Sequence, residues 1–168
     1  MRQTEQLGLG HAVLCAVGNE PFAVLLADDF ITYEGAGVTA DLARAFTATG
    51  KTQISVMEVN GPDISKYGVV IPNGEQGSVS GLVEKPDVDN APSNLASIGR
   101  YVLTPDIFDI LRNQPVGAGG EIQLADAINT QATNNKVEAV TLDGCRFDCG
   151  SVQGYLEAIM RVADRRTR

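Results

Sequence analysis

Apolar positions along this chain recur with two periods, one suited to strands and one to helices. Residues 22–27 form an unbroken apolar run that stops at Asp28-Asp29, which predicts a strand buried on both faces. A short helix of small residues is expected before it, over 12–17. Val38, Leu42, Ala45 and Phe46 return at helical spacing, and Gly50 closes that helix. Residues 52–59 read as a strand with Ile54 and Val56 inward, broken by Gly61-Pro62. Strands over 67–71 and 78–85 flank the turn signal Asn73-Gly74 and are predicted to pair antiparallel. A long strand follows over 94–103. Thr104-Pro105-Asp106 then supplies an N-cap, a proline at the first helical position and an early acid, predicting a helix over 105–112. Gly117 to Gly120 form a hinge before a helix over 121–134, with Ile122, Ala125 and Ile128 on one side. Val137, Ala139 and Val140 mark a last strand. Val152, Tyr155, Leu156, Ile159, Met160 and Ala163 recur at the positions of a core-facing helix.

This alternation predicts an α/β fold in one domain spanning 1–168, with no internal repeat and no linker. Composition narrows the function. A net charge of −8 argues against a nucleic-acid or membrane-surface binder, since both need a basic face. The basic C-terminal residues Arg161, Arg165, Arg166 and Arg168 read as the solvated end of a helix, where cations suit the dipole. No apolar run approaches the length of a membrane span and no signal-peptide pattern opens the chain. Cys15, Cys145 and Cys149 form an odd, scattered set, consistent with reduced cytoplasmic thiols rather than a disulfide framework.

Candidate chemistry sits at strand ends. Gly81-Leu82-Val83-Glu84-Lys85-Pro86 delivers a carboxylate and an amine into a loop, and Pro86 ends regular pairing. Neighbouring side chains in a strand face opposite ways, so Glu84 and Lys85 are expected to meet different partners. Asp28 and Asp148 each lie at a strand end, where two carboxylates can converge to hold Mg²⁺, an ion that takes most of its oxygens from water and substrate. The alternative for Asp28-Asp29 is a turn or helix cap. Gly8-Leu9-Gly10 allows close backbone approach to a base or phosphate, whereas Gln3 alone is compatible with a solvent-facing amide. His11 has no second metal ligand at useful spacing, and Cys145 and Cys149 lack the further Cys or His pair that zinc requires. Neither a Gly-x-Ser-x-Gly elbow nor a Walker motif is present.

Six blocks in order extend this picture: Gly8-Leu9-Gly10-His11-Ala12-Val13, Lys66-Tyr67-Gly68-Val69-Val70, Val83-Glu84-Lys85-Pro86, Pro92-Ser93-Asn94-Leu95-Ala96 with Gly99-Arg100-Tyr101-Val102-Leu103, Gly120-Glu121-Ile122-Gln123-Leu124, and Phe147-Asp148-Cys149-Gly150. Together they resemble the bacterial UTP-glucose-1-phosphate uridylyltransferases, of the nucleotide-diphosphosugar transferase type. The resemblance implies a three-layer α/β fold with a mixed, mostly parallel sheet. It also implies exchange of UTP and glucose 1-phosphate for UDP-glucose and pyrophosphate, with Mg²⁺ as cofactor. By matching motif, Gln3 and Gly8 contact uracil, Gly68 and Glu84 bind glucose hydroxyls, Lys85 binds phosphate, and Asp28 and Asp148 hold the metal. Catalysis in such a site rests on positioning and charge neutralisation.

The family's Gly-rich loop with its Thr-Arg pair and lysine is absent from this sequence, as if the first βα unit were missing. Ala27 stands where a proline is common, and Val152 where a lysine is common. These departures lead to the expectation of a truncated domain that has little or no turnover and self-associates into a homo-oligomer. A non-catalytic sugar-nucleotide-binding or regulatory domain and a thymidylyl-type pyrophosphorylase are the alternatives.

Overall fold

In the computed structural model, residues 2–16, 18–75 and 77–166 are described. The predicted residue Val17 and the terminal Arg168 fall outside them. The order of elements is α1 (Leu9–Leu14), β1 (Phe22–Leu25), β2 (Asp29–Thr32), α2 (Val38–Thr49), β3 (Thr52–Glu58), β4 (Gly68–Pro72), β5 (Val79–Glu84), β6 (Leu95–Leu103), α3 (Ile107–Asn113), α4 (Leu124–Thr133), β7 (Val137–Thr141), β8 (Cys145–Asp148) and α5 (Val152–Arg166). A 3₁₀ turn over Pro62–Lys66 leads into β4.

Six strands form one sheet in the order β5-β4-β6-β3-β7, with β1 also paired to β6. The long β6 is the spine. It carries β3 along one edge, while β4 at its start (Val69 opposite Ala96) and β1 at its end (Phe22 opposite Leu103) share the other. Successive β6 side chains point to opposite faces, so Leu103 joins a core with α1, α3 and α4, including Ile107, Leu111, Leu124 and Ile128. Ile98 and Val102 join a second core under α2 with Val38 and Leu42. The result is the expected three-layer α/β arrangement with a mixed sheet. The balance of pairing differs from expectation: among the described strands only β3 and β7 pair parallel, and every other pairing is antiparallel. The reason lies partly in the connections, since β4 and β5 are joined by a short turn that cannot make a crossover.

Several local expectations hold. Gly50 ends α2 at φ 70°, in the left-handed region that glycine enters without steric cost. β4 and β5 pair antiparallel across the turn containing Asn73 and Gly74. Others are corrected. β1 is not buried on both faces: inward Phe22 and Val24 alternate with exposed Ala23 and Leu25. Thr104 does not cap α3 with its side chain. Its hydroxyl instead donates to Asp106 and accepts from Gln131, inside a polar cluster with Thr52. The largest correction is α5. Among its described residues only Gly154 and Ala158 are buried, whereas Val152 is 80% exposed and Met160 57% exposed. Periodicity gave the helix correctly, but among the described residues its apolar face is left largely exposed.

Candidate active site

Asp28 sits in the tight turn between β1 and β2, and Asp148 is the last residue of β8. β2 and β8 form a separate two-stranded ribbon in which Asp29 lies opposite Asp148. The Cys149 N–H donates to the Asp28 carbonyl at 2.7 Å, which holds the turn against the loop after β8. The two carboxylates face one point. A Cβ built on Gly150 would stand 3.1 Å from Asp148 Oδ1 and 3.4 Å from Asp28 Oδ2. The Gly150 N–H also donates to Asp148 Oδ1 at 3.1 Å. The convergence read from sequence is therefore present, at the end of a ribbon rather than the edge of one sheet. Because Gly150 has no side chain, the space between the carboxylates stays open. Among the described residues, no three His, Cys, Asp or Glu side chains gather as a full protein cage. Two carboxylates with room beside them suit Mg²⁺, which keeps most of its shell for water and phosphate oxygens.

Gly68 and Glu84 are opposite one another in the β4–β5 register. A Cβ at Gly68 would lie 3.0 Å from Glu84 Oε2, so glycine leaves that carboxylate room in the cavity. Lys85 follows at φ 46°, a left-handed conformation rare for a side-chain-bearing residue and disfavoured further by the proline after it. Its N–H donates to the Tyr67 carbonyl at 3.0 Å, which holds the backbone there. Backbone strain of this kind concentrates at functional sites. The turn also overturns the expected separation of the two charges: Lys85 Nζ comes to 3.9 Å from Glu84 Oε1. Lys85 has left the strand, so the alternation rule no longer governs it. Both side chains are more than half exposed, and such a pair adds little stability.

A cavity of about 230 Å³ lies beside Gly68 and Glu84, lined also by Leu9, Tyr67, Tyr101 and Arg146 among others, whereas Lys85, Asp28 and Asp148 do not line it. Arg146 and Asp29 form a buried ion pair at its wall. Asp29 Oδ2 accepts the Gly99 N–H at 2.6 Å, and Arg146 Nη1 donates to the Tyr67 hydroxyl at 2.9 Å while the guanidinium lies 5.2 Å from the Tyr67 ring centroid. Sequence reasoning treated Asp29 as a companion of Asp28 and assigned Arg146 no role. The signal was available: consecutive aspartates at a strand start face opposite ways, and Arg146 shares a face with Asp148 two residues on.

Gln3 and Gly8 also come together. Gln3 Nε2 donates to the Gly8 carbonyl at 3.2 Å and lies 3.0 Å from His11 Nδ1, so Gln3 is not a free solvent-facing amide. Gly8 has φ 91°, and a Cβ there would stand 2.8 Å from Glu121 Cβ. The loop is laced to the segment before α4 by Gly10 N–H to Ile122 carbonyl and Ile122 N–H to Leu7 carbonyl, both at 2.8 Å. Leu9 of this loop borders the cavity. Val152, the first residue of α5, is exposed, and Ala27 lies in the turn with Asp28.

The model of the nucleotidyl transferase family matches residues 2–165. The chain is 46% identical over 164 residues to a UTP-glucose-1-phosphate uridylyltransferase of Pseudomonas aeruginosa, covering 94% of this chain and 59% of that protein. It is 45% identical over 169 residues to UTP-glucose-1-phosphate uridylyltransferase 1 of Staphylococcus saprophyticus, covering 97% and 58%. The fold superimposes on a crystal structure of UDP-glucose pyrophosphorylase complexed with UDP-glucose with a TM-score of 0.91, at 42% identity, over 98% of this chain and 65% of that one. The chain thus spans just under three fifths of the curated relatives it matches.

Proposed function

Because the chain belongs to the nucleotidyl transferase family, we propose that its residues form a site that joins UTP and glucose 1-phosphate into UDP-glucose and pyrophosphate. The observation that supports this most is the meeting of Asp28 and Asp148 at Gly150, together with a cavity that holds Gly68 and Glu84. Among the described residues no helix is long and apolar enough to cross a membrane, and the three cysteines are free thiols. A cytoplasmic setting with soluble phosphorylated substrates is part of the proposal.

In this reading Glu84 accepts hydrogen bonds from glucose hydroxyls, and the missing Cβ of Gly68 lets the ring approach. The Lys85 ammonium neutralises the sugar phosphate and aims its oxygen at the α-phosphorus of UTP. Gln3 and the Gly8 backbone read the uracil edge. Asp28 and Asp148 would hold Mg²⁺, which would supply neutralising charge to the nucleotide phosphates. No side chain has to act as a covalent nucleophile: the protein orients two polyanions in line and offsets their repulsion.

The test is titration of UDP-glucose into the chain by isothermal calorimetry, with and without MgCl₂, beside dTDP-glucose and free glucose. Saturable binding of UDP-glucose that weakens at least tenfold in Glu84→Gln supports the proposal. No binding of UDP-glucose at millimolar concentration, or equal binding by the variant, rejects it.

A further inference from the structure

Resting on that functional reading, we infer that Arg146 is a positioning residue that ties the metal-binding carboxylates to the sugar-phosphate group through Tyr67. Arg146 does not need to touch substrate for this. Its Nε and Nη2 are engaged by Asp29 and its Nη1 by the Tyr67 hydroxyl at 2.9 Å, so all three nitrogens have protein partners. The side chain is 11% exposed, and its partner Asp29 is 4% exposed and anchored in turn by the Gly99 N–H at 2.6 Å. A guanidinium held by a buried carboxylate, by a hydroxyl and over an aromatic ring is fixed in both position and plane.

What it connects gives the role. Along β8, Arg146 precedes Asp148 by two residues on the same face, and Nη2 lies 4.0 Å from Asp148 Oδ1. At the other end, Tyr67 adjoins Gly68, and its carbonyl accepts the Lys85 N–H at 3.0 Å. A chain of contacts, from Asp148 through Arg146 and Tyr67 to Lys85, therefore spans the carboxylate pair and the lysine. β2 and β8 form a ribbon outside the six-stranded sheet, held to it by the Gly99 N–H and the Arg100 guanidinium of β6, both bonded to Asp29, and by Arg146 through Tyr67. In-line phosphoryl chemistry is sensitive to misplacements of about 1 Å, which is where such a link acts.

The test compares the 168-residue chain with Tyr67→Phe and Arg146→Lys. Tyr67→Phe removes one hydroxyl and leaves the Asp29–Arg146 pair and the aromatic ring in place. Calorimetric titration of UDP-glucose in the absence and presence of MgCl₂ gives the factor by which Mg²⁺ strengthens binding, and circular-dichroism melts are taken alongside. Expected for Tyr67→Phe is at least a threefold loss in that factor, with an unchanged melting curve. Arg146→Lys is expected to lose more, because an ammonium cannot serve Asp29 and Tyr67 with one plane. A Mg²⁺ factor kept within twofold in Tyr67→Phe overturns the inference. So does a factor that falls only in step with lost folding, as a purely structural role would give. Failure of the parent chain itself to bind UDP-glucose overturns the functional reading and this inference with it.

Discussion

Asp29 and Arg146, 117 residues apart in sequence, form the most deeply buried ion pair among the described residues. Removing one partner of such a pair leaves a buried charge without compensation, at a cost of about 3–5 kcal/mol. Arg146→Met is therefore expected to lower the urea midpoint strongly. The double variant Asp29→Leu with Arg146→Met should recover part of the loss, because both charges go together. Equilibrium urea unfolding of the three proteins measures the non-additivity.

Gly150→Ala is expected to weaken Mg²⁺ binding at least fivefold with little change in melting temperature. The new methyl group would sit 3.1 Å from Asp148 Oδ1 and 3.4 Å from Asp28 Oδ2, in the space between the carboxylates. Calorimetric titration with MgCl₂ in the presence of UDP-glucose reads the effect, and unaltered affinity would place the metal elsewhere.

Two lysines separate function from stability. Lys85→Ala is expected to weaken UDP-glucose binding at least tenfold, whereas Lys51→Ala leaves it unchanged. Lys51 pairs with Glu138 at 3.2 Å on the β3–β7 side of the sheet, away from the cavity. Equal effects of the two substitutions in the same titration would refute the phosphate role of Lys85.

Acid should destabilise the fold through Asp106 and Glu138. Burial pushes both carboxyls up. For Asp106 this is outweighed by hydrogen bonds from Thr104, Lys136 and Gln131, and for Glu138 by those from Gln53, Thr49 and Lys51, so both end below their usual values of 3.8 and 4.5. A depressed folded-state value contributes stability that is present above the unfolded-state value and is lost as pH falls through the folded-state one. The urea midpoint is expected to drop on going below about pH 4, and Asp106→Asn should flatten that drop.

The exposed apolar side of α5 is proposed to drive self-association. Tyr155, Leu156, Ile159 and Met160 are each about half exposed, and Tyr155 and Ile159 form a groove with Phe30. Contiguous apolar surface of this kind marks contact sites. Ile159→Glu with Met160→Glu should shift the chain toward monomer in sedimentation velocity at micromolar concentration, with an unchanged urea midpoint. A parent chain that is already monomeric there contradicts the proposal.

Much of this was legible in the sequence because it depends on local rules. Gly50 ended α2 and the Asn73-Gly74 turn paired β4 with β5, each as its residue types dictate. Asp28 and Asp148 were legible as strand-end acids. The misses came from tertiary choices. Thr104 had a cap-forming sequence, but buried Thr52 and Gln131 offered its hydroxyl other partners. Asp29 looked like a second cap until a distant arginine claimed it. Lys85 left the pleat by one backbone torsion, which no side-chain alternation foretells. For α5, periodicity marks which face is apolar and carries no information about what lies against it.

The ribbon of β2 and β8 has a consequence for motion. Both carboxylates proposed for the metal belong to it or to its turn, while Gly68 and Glu84 belong to the six-stranded sheet. A two-stranded unit is marginal by itself, so beyond its anchors at Asp29 and Arg146 the ribbon is expected to fray before the sheet does. Amide protons of Phe30 and Phe147 should then exchange with solvent well before those of Ile54 and Val102, and bound Mg²⁺ should slow the first pair alone. The metal would act as the clasp that closes one jaw of the site onto a frame that is already rigid.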